Sequence, residues 1–400
     1  MPVQETLVGS PGAVRRGYAF LDAARQHTRL AQSYSDQAGL GSTAFLYDNA
    51  LVVLAYLADG RAHAVARAAA LGDAMLYAQT HDPEHDDGRL RHAYLADGFV
   101  RGDGTVAIEP RFASSAVGDL AWAGIALAAL ARHTGQPRYA TGAVRVGTWI
   151  DTHTRSESPL GGYAGGFDGA GNPLLYTSTE HNIGCVALFG QLSRLTGDRA
   201  WRRRRDHAAS FLTWMWCAAG GFFHTGTDDG TCVNECPTPE DAQSWSYLAL
   251  GASRYQSAVD WALTELAVPD GVTFSSMSLT ANERAPIGPG QPPPRRDGIW
   301  YEGNAHLAAA LRQRRRPGDE AQASLLLAAC ERAQEHAQER AQEQGNPETI
   351  GGRPVPNGAG VISASMPLDT GYGYGYYPYR HIGATAWYLL ATARVNPLAA

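Results

Sequence analysis

Apolar residues recur at helical spacing along almost the whole chain, in two alternating sets of segments. In the first set only one face of each segment is apolar, as in an amphipathic surface helix. These six segments are GAVRRGYAFLDAARQH, ADGRAHAVARAAALGDAML, TGQPRYATGAVRVGTWI, TGDRAWRRRRDHAASFLTW, SRYQSAVDWALTEL and PGDEAQASLLLAACERA. Four of them begin in a short turn with glycine, and we expect that glycine to end the preceding helix in a left-handed conformation.

The second set is apolar on nearly every side. Its six segments are TAFLYDNALVVLAYLA, VGDLAWAGIALAALA, STEHNIGCVALFGQLS, EDAQSWSYLALGA, WYEGNAHLAAALR and RHIGATAWYLLATA. A helix that is apolar all round is buried all round. Six amphipathic helices that alternate with six buried ones predict an all-α fold, an (α/α)6 toroid of six helical hairpins with an outer and an inner ring. Strand signals are weak by comparison.

Polar residues near the starts of the predicted inner helices repeat evenly. They are Asp48, Asp119, Glu180, Asp241 and Glu302, followed by His381. Successive steps are 71, 61, 61, 61 and 79 residues. Even steps are expected of a repeated hairpin, so we interpret residues 1–400 as a single toroid domain instead of the two or three domains that the length alone suggests.

Long loops rich in glycine and aromatic residues precede five of the inner helices. The longest runs are HDPEHDDGRLRHAYLADGFVRGDGTVAIEPRFASS, SPLGGYAGGFDGAGNPLLYTST, GGFFHTGTDDGTCVNECPTP, VPDGVTFSSMSLTANERAPIGPGQPPPRRDGIW and GGRPVPNGAGVISASMPLDTGYGYGYYPY. Loops of this length in a compact domain are usually functional. We expect the loops, the N-termini of the inner helices and their carboxylates to meet at one mouth of the ring.

The carboxylates at these helix starts are the first candidates for chemistry. Asp48 lies in an apolar run where no helix cap is needed, and a buried carboxylate without a structural role is costly. Glu302 stands beside Trp300 and Tyr301, and aromatic walls raise the pKa of a carboxyl group, as a general acid requires. We therefore predict Glu302 and Glu180 as acid/base carboxylates with Asp48 or Asp119 as partner.

The cluster of Glu180, His181 and Asn182 is the richest in polar groups, and we include His181 among the catalytic candidates. Aromatic side chains at the mouth stack on sugar rings or line an apolar pocket. The predicted substrate-binding residues are Tyr47, Trp122, Asn182, Asp241, Trp245, Trp300, Tyr301, Tyr376 and His381. Two alternatives remain: several aromatic side chains plug the centre of the toroid, and Asp241 caps its helix.

Composition removes several kinds of chemistry. All 33 basic residues are arginine, so a Schiff-base lysine, a pyridoxal aldimine and a Walker lysine are excluded. Neither a GxGxxG motif nor a GxSxG motif is present, and we expect no cofactor. The histidines and aspartates between His81 and His92 lack fixed ligand spacing, and the pair Cys232 and Cys236 has no partner pair, so no metal is predicted either.

The net charge of −6 argues against a nucleic-acid partner and favours a small-molecule substrate. The longest apolar stretch, residues 120–131, is too short to span a bilayer. Five cysteines, odd in number and scattered, are typical of reduced thiols, and the first residues lack a usual secretory pattern. These features predict a cytoplasmic protein, whose oligomeric state the sequence leaves open.

The starts of the inner helices, YDNALVVLAYL, GDLAWAGIALAAL, STEHNIGCVALF, EDAQSWSYLAL, WYEGNAH and RHIGATAWYLLA, resemble those of the six-hairpin glycosidase superfamily. The resemblance implies an (α/α)6 toroid enzyme that acts on sugars. That superfamily also holds lyases, epimerases and enzymes with other substrates. No complete catalytic motif of one family is matched, so the residue roles rest on the reasoning above.

Three functions follow from these patterns. The first is a glycoside hydrolase that uses a carboxylate pair. The second is an intracellular cyclase, lyase or isomerase that acts without hydrolysis on a hydrophobic or natural-product intermediate. The third is a toroid that binds a ligand without catalysis.

Overall fold

All twelve predicted helices are present in the computed structural model, which describes residues 10–25, 29–276, 294–343 and 348–399. In chain order they are α1 (Pro11–Arg25), α2 (Leu46–Asp59), α3 (Ala62–Ala78), α4 (Val117–Thr134), α5 (Pro137–Thr154), α6 (Thr179–Thr196), α7 (Ala200–Met215), α8 (Glu240–Leu250), α9 (Gln256–Glu265), α10 (Tyr301–Arg314), α11 (Asp319–Glu343) and α12 (Ile382–Thr392). Three 3-10 turns lie at Asp36–Ala38, Pro110–Phe112 and Ser253–Tyr255.

The even-numbered helices form a closed inner ring. Helix α2 contacts α4, and the contacts continue through α6, α8, α10 and α12 back to α2. Each of the first five inner helices packs against the outer helix that follows it, while α12 packs against α1 and so joins the two ends of the chain. The predicted all-α toroid of six hairpins is confirmed. None of the helices within the described residues is long and apolar enough to cross a membrane.

Burial follows the sequence pattern. Every residue of α12 is buried, as are residues 117–131 of α4. Gly60, Gly135 and Gly197 end α2, α4 and α6 in the left-handed conformation, as predicted. The prediction that glycine ends the helix is wrong at the fourth turn. The residue in the left-handed conformation after α10 is Arg315, with φ at 58°, and Gly318 follows later in the turn.

In the parts of the loops that the structure describes there are eighteen strands of two or three residues, all paired antiparallel. They are β1 (Thr43–Phe45), β2 (Ala93–Leu95), β3 (Ser115–Ala116), β4 (Gly166–Phe167), β5 (Pro173–Leu174), β6 (Thr177–Ser178), β7 (Trp216–Cys217), β8 (Phe222–Phe223), β9 (Gly226–Thr227), β10 (Val233–Asn234), β11 (Thr238–Pro239), β12 (Ala267–Val268), β13 (Gly271–Val272), β14 (Ser275–Ser276), β15 (Thr349–Ile350), β16 (Arg353–Pro354), β17 (Leu368–Asp369) and β18 (Gly375–Tyr376).

These short strands link neighbouring hairpins around the mouth. The residues just before α2, α4, α6 and α8 pair with the loop of the next hairpin, as β1 with β2, β3 with β4, β6 with β9 and β11 with β14. The bridge from Trp300 to Ala364 continues the series at α10. The bridge from His381 to Tyr34 completes it at α12. The first turns of all six inner helices are therefore held relative to one another by backbone pairing.

A second repeated contact fixes each loop to its own helix. On five inner helices, the side chain four residues after the N-cap accepts a hydrogen bond from a backbone N–H of the preceding loop. The pairs are Asn49 with Ala31, Asn182 with Tyr163, Gln243 with Phe223, Asn304 with Val272, and Thr385 with Val361, at 2.8–2.9 Å. A buried polar group of this kind is costly to leave unpaired, which accounts for part of the 61-residue repeat.

The amide of Asn182 is fully used by this contact. Its Nδ2 donates to the carbonyl oxygens of Tyr163 at 3.1 Å and Ser178 at 2.9 Å, and the side chain is completely buried. The prediction that Asn182 binds substrate is therefore not supported, because its polar atoms already hold the loop.

Candidate active site

Titratable side chains from all six inner helices meet at the mouth, within the first turn of each helix in most cases. They are Asp48 on α2, Asp119 on α4, Glu180 and His181 on α6, Glu240 and Asp241 on α8, Glu302 and His306 on α10, and His381 at the N-cap of α12. The positive ends of the six helices point at the same place, which favours ionised carboxylates there. Four of the five predicted catalytic residues are carboxylates of this group, and the fifth is His181.

Asp48, His381 and Glu302 form one continuous contact. Both carboxylate oxygens of Asp48 lie 3.1 Å from Nε2 of His381, and Nδ1 of the same ring lies 3.6 Å from Oε2 of Glu302. The backbone N–H of Ala384 points at Nδ1 at 3.3 Å, and Tyr34 stacks on the ring at 4.2 Å. Burial lowers the pKa of His381, but the charges of Asp48 and Glu302 outweigh it and the pKa is raised. The carboxylates on either side of His381 therefore favour its protonated form.

Glu302 is the most strongly held carboxylate at the mouth. The hydroxyl of Tyr47 donates to Oε1 at 2.5 Å, and the indole N–H of Trp387 donates to that hydroxyl at 2.9 Å. Nε2 of His306 lies 3.6 Å from the same Oε1. Burial alone raises the pKa of Glu302, but His306, His381 and Tyr47 together lower it. The expectation that aromatic walls raise this pKa is wrong, because two imidazoles and a phenol face the carboxylate.

Gly383 makes this contact possible. A Cβ at this position would lie 2.6 Å from the ring of His381, 2.7 Å from Oδ1 of Asp48 and 3.1 Å from Oε2 of Glu302. Carbon atoms do not approach other atoms this closely without a shift. The residue lies in α12, so its role is to leave space and not to provide a turn.

We expect Gly383→Ala to lower kcat/KM by about 100-fold, because a misplacement of about 1 Å is enough for such a loss. Far-UV circular dichroism should stay unchanged, since alanine favours helix over glycine. Gly12→Ala in α1 is the matched control, because its Cβ would meet only Arg16 at 3.4 Å and Ser10 at 3.9 Å. Wild-type kcat/KM in Gly383→Ala would contradict the role.

A second group lies on α4 and α6. Oδ2 of Asp119 binds Nδ1 of His92 at 2.5 Å, and the pKa of His92 is raised because Asp119 and Asp48 outweigh burial. His181 packs over Gly118, where a Cβ would lie 2.5 Å from its ring. Burial lowers the pKa of His181 to about 4, so its ring is neutral at pH 7. This side of the mouth therefore places His92, whose pKa is raised, near the neutral imidazole of His181.

Glu180 and Asp241 form the third group. Within the described parts of the chain, no side chain forms a hydrogen bond or an ion pair with the carboxyl of Glu180. Burial raises its pKa well above the usual range, and the charges of Asp241, Asp119 and Glu302 act in the same direction. The pKa of Asp241 is raised to about 7, mainly by burial and by Glu240. The surroundings of Glu180 thus favour its protonated form.

Asp241 lies one position inside its helix and is not the N-cap, which is Pro239. Its Oδ1 accepts a hydrogen bond only from the N–H of Ala242, at 2.6 Å. Asp241 is therefore not the N-cap, but its carboxylate accepts one of the backbone N–H groups in the first turn of α8. Because Asp241 lies beside Glu180, its predicted role in substrate binding stays a proposal.

The predicted aromatic residues divide into two groups. Trp122 and Trp245 are buried and lie 5.0 Å apart edge to face, each also in contact with Tyr47 and Trp387, so they plug the centre of the ring below Glu302. Trp122 and Trp245 therefore follow the alternative interpretation, in which aromatic side chains fill the centre of the helix ring.

Trp300 and Tyr376 lie nearer the mouth. Their rings stack at 5.9 Å, and Tyr376 is partly exposed. Tyr301 belongs instead to the main hydrophobic core, and its carbonyl accepts a hydrogen bond from the thiol of Cys330. Of these three aromatic residues, Tyr376 has the clearest access to a substrate.

Five residues of the site were not predicted: Tyr34, His92, Glu240, His306 and Trp387. His306 carried a signal, because it is four residues after Glu302 and so lies on the same helix face. Glu240 is the first residue of α8, where a carboxylate is common, yet it is completely buried against His306. Tyr34 and His92 lie in loops, where periodicity gives no information.

Within the described residues, no group of three histidine, cysteine or carboxylate side chains has the geometry of a metal site. In the segment between His81 and His92, Asp82 binds Arg91 at 2.6 Å and Asp87 binds Arg89 at 2.7 Å. These ion pairs explain why acidic residues cluster there.

Solved structures share this architecture over nearly the whole chain. The cellobiose 2-epimerase of Spirochaeta thermophila matches with a TM-score of 0.65 at 12% identity, covering 96% of this chain and 97% of that one. A D-mannose isomerase matches at 0.64 and 11%, covering 98% of both chains. A glycosidase variant in complex with glucose matches at 0.61 and 11%, covering 96% of both. No protein-family model and no curated protein sequence matches the chain. At these identities the likeness establishes the (α/α)6 toroid fold.

Proposed function

We propose that this protein is a glycoside hydrolase in which Glu180 is the general acid and Glu302 is the ionised carboxylate. The observation that carries the proposal is the opposite environment of the two groups. Glu302 is held by Tyr47 and faces two imidazoles, whereas Glu180 has no cationic partner and lies among other carboxylates. Two carboxyl groups with pKa values pushed apart in one site are typical of acid/base catalysis.

In this mechanism, Glu180 gives its proton to the glycosidic oxygen as the bond from that oxygen to the anomeric carbon breaks. Water supplies the hydroxyl group that the anomeric carbon gains. In the inverting course Glu302 accepts the proton of that water, and in the retaining course Glu302 first bonds to the anomeric carbon. The structural neighbours that act on sugars support a carbohydrate substrate.

A second candidate is a sugar isomerase or epimerase. It is favoured by the histidines, because His381 lies between two carboxylates while His181 is neutral. A neutral imidazole accepts a proton from a carbon next to a carbonyl group, and a charged one returns a proton, without hydrolysis. The cellobiose 2-epimerase and mannose isomerase neighbours support this candidate in the same way. The cyclase and lyase alternatives have no comparable support.

One experiment separates the two candidates. The protein is incubated with a panel of aryl glycosides and disaccharides and, in deuterium oxide, with free aldoses and cellobiose, and the products are followed by proton NMR. A hydrolase releases the aglycone and gives one anomer first, while an isomerase or epimerase changes the sugar and exchanges the hydrogen next to the carbonyl. If no sugar is turned over and no sugar raises the Tm, both candidates are refuted.

Other properties are part of the same proposal. A small-molecule substrate without a nucleic-acid partner is supported by the net charge of −6. The five cysteines are all free, which supports a cytoplasmic location. The closed ring of inner helices supports one domain over the chain.

A further inference from the structure

A buried pair, Glu240 and His306, lies directly beneath Glu302. Oε2 of Glu240 is 3.0 Å from Nδ1 of His306, and both side chains are completely buried. The two residues come from neighbouring inner helices, α8 and α10. A carboxylate that binds one nitrogen of an imidazole fixes both the tautomer and the direction of the other nitrogen.

Three indole rings enclose the imidazole of His306. Its centroid lies 4.4 Å from that of Trp387, 5.0 Å from Trp245 and 5.1 Å from Trp300. Such packing leaves the ring no alternative rotamer and excludes water from it. An electrostatic interaction between His306 and a neighbouring carboxylate is therefore screened little by solvent.

The second nitrogen of His306 points at the reacting carboxylate. Nε2 is buried, forms no hydrogen bond of normal length with any described residue, and lies 3.6 Å from Oε1 of Glu302. That distance is too long for a hydrogen bond. Hydrogen bonds of catalytic groups are often long in an empty enzyme and shorten when substrate binds.

We propose that Glu240 and His306 are a positioning pair: Glu240 fixes His306 with Nε2 directed at Oε1 of Glu302, and this donor holds the Glu302 carboxylate in place and in its charged form. The inference rests on the proposed role of Glu302. Neither Glu240 nor His306 touches the reacting atoms in this arrangement, so both act through Glu302.

The charge of the pair agrees with this geometry. Burial lowers the pKa of His306, but Glu240 and Glu302 raise it to about 9, so the ring is an imidazolium at pH 7. Other titratable groups also act on Glu302. They are Tyr47 and Asp48 on α2, Glu180 on α6, Asp241 on α8, His381 at α12, and Tyr34, Tyr374 and Tyr376 from the loops. The groups that lower the pKa of Glu302 are His306, His381 and Tyr47.

The test compares His306→Gln with Glu240→Ala across pH. Glutamine at position 306 removes the positive charge beside Oε1 of Glu302, so the pKa of Glu302 rises. The acid limb of kcat/KM should then move up by about one pH unit or more, with activity recovering above it. Alanine at position 240 removes the orientation of His306, so kcat should fall at every pH. Glu109→Gln, at a buried carboxylate bound by Arg111 and Thr43, is the matched control and should leave the limb in place.

An acid limb that stays in place in His306→Gln, while kcat falls, would show a merely structural role and overturn the proposal. If the wild type hydrolyses no glycoside, the proposed function fails, and the pair is then tested by ¹⁵N NMR of histidine-labelled protein. A His306 resonance, assigned with His306→Gln, that titrates near pH 9 and moves to lower pH in Glu240→Gln supports the pair. Titration of His306 near 6.5 in the wild type overturns it.

Discussion

Glu302→Gln should lower kcat on the best glycoside substrate by on the order of 10³-fold, because it removes the only carboxylate at the mouth that two imidazoles and a tyrosine hydroxyl hold in ionised form. The amide keeps the shape and still accepts the hydrogen bond of Tyr47, so KM and the circular dichroism spectrum should change little. The measurement is steady-state kinetics from pH 4 to pH 9.

The wild-type pH profile adds a second check on Glu302. Because its pKa lies below the usual value for glutamate, the carboxylate stays charged as the pH falls, and kcat/KM should be retained into the mildly acidic range before it declines. The carboxylate of Glu109 takes no part in the proposed chemistry, so the variant Glu109→Gln should keep the wild-type pH profile of kcat/KM. Activity above a tenth of the wild type in Glu302→Gln would assign the chemistry to another group.

Glu180→Gln should produce a loss that depends on the leaving group. An alkyl glycoside needs a proton on its departing oxygen, so its kcat/KM should fall by about 10²- to 10⁴-fold. A 2,4-dinitrophenyl glycoside departs without protonation, so its loss should be less than about 10-fold by the same reasoning. Parallel kinetics on the two substrates with wild type and variant measure the difference.

The pH dependence of the activity shows whether Glu180 acts in its protonated form. The pKa of Glu180 is raised well above its usual range, so wild-type activity on the alkyl glycoside should fall only as the pH rises through that raised pKa. In Glu180→Gln this basic limb should be absent with the dinitrophenyl substrate. Asp241→Asn serves as a comparison, because loss of its charge lowers the pKa of Glu180 and should move the basic limb to lower pH. Equal losses on both substrates would mean that Glu180 is not the acid.

The sequence located the catalytic candidates because they repeat with the hairpins. Asp48, Asp119, Glu180, Asp241 and Glu302 occupy equivalent first turns, and a closed ring brings equivalent positions to one mouth. The cluster of polar residues from Glu180 to Asn182 misled for Asn182. It too lies at an equivalent position, but the structure shows that this position holds the loop by hydrogen bonds to the backbone.

The sequence alone could not predict which carboxyl groups are protonated. Glu302 stands beside Trp300 and Tyr301 in the chain, which suggested a raised pKa, yet its neighbours in space are Tyr47, His306 and His381. Glu180 precedes His181, but that imidazole packs over Gly118 and is neutral. Contacts with His306, His381 and Tyr47, which lie 4, 79 and 255 positions away in the chain, therefore reversed the expected pKa of Glu302.

By itself, the sequence determined twelve helices, their alternation between outer and inner ring, and the mouth at which the polar residues meet. Helical period and burial are local properties, written in the spacing of apolar residues along each segment. Only the tertiary structure decided which carboxyl group is charged, which aromatic residues fill the centre, and that Glu240 and His306 lie beneath Glu302. These depend on distances between different helices, which closure of the ring sets and no single segment encodes.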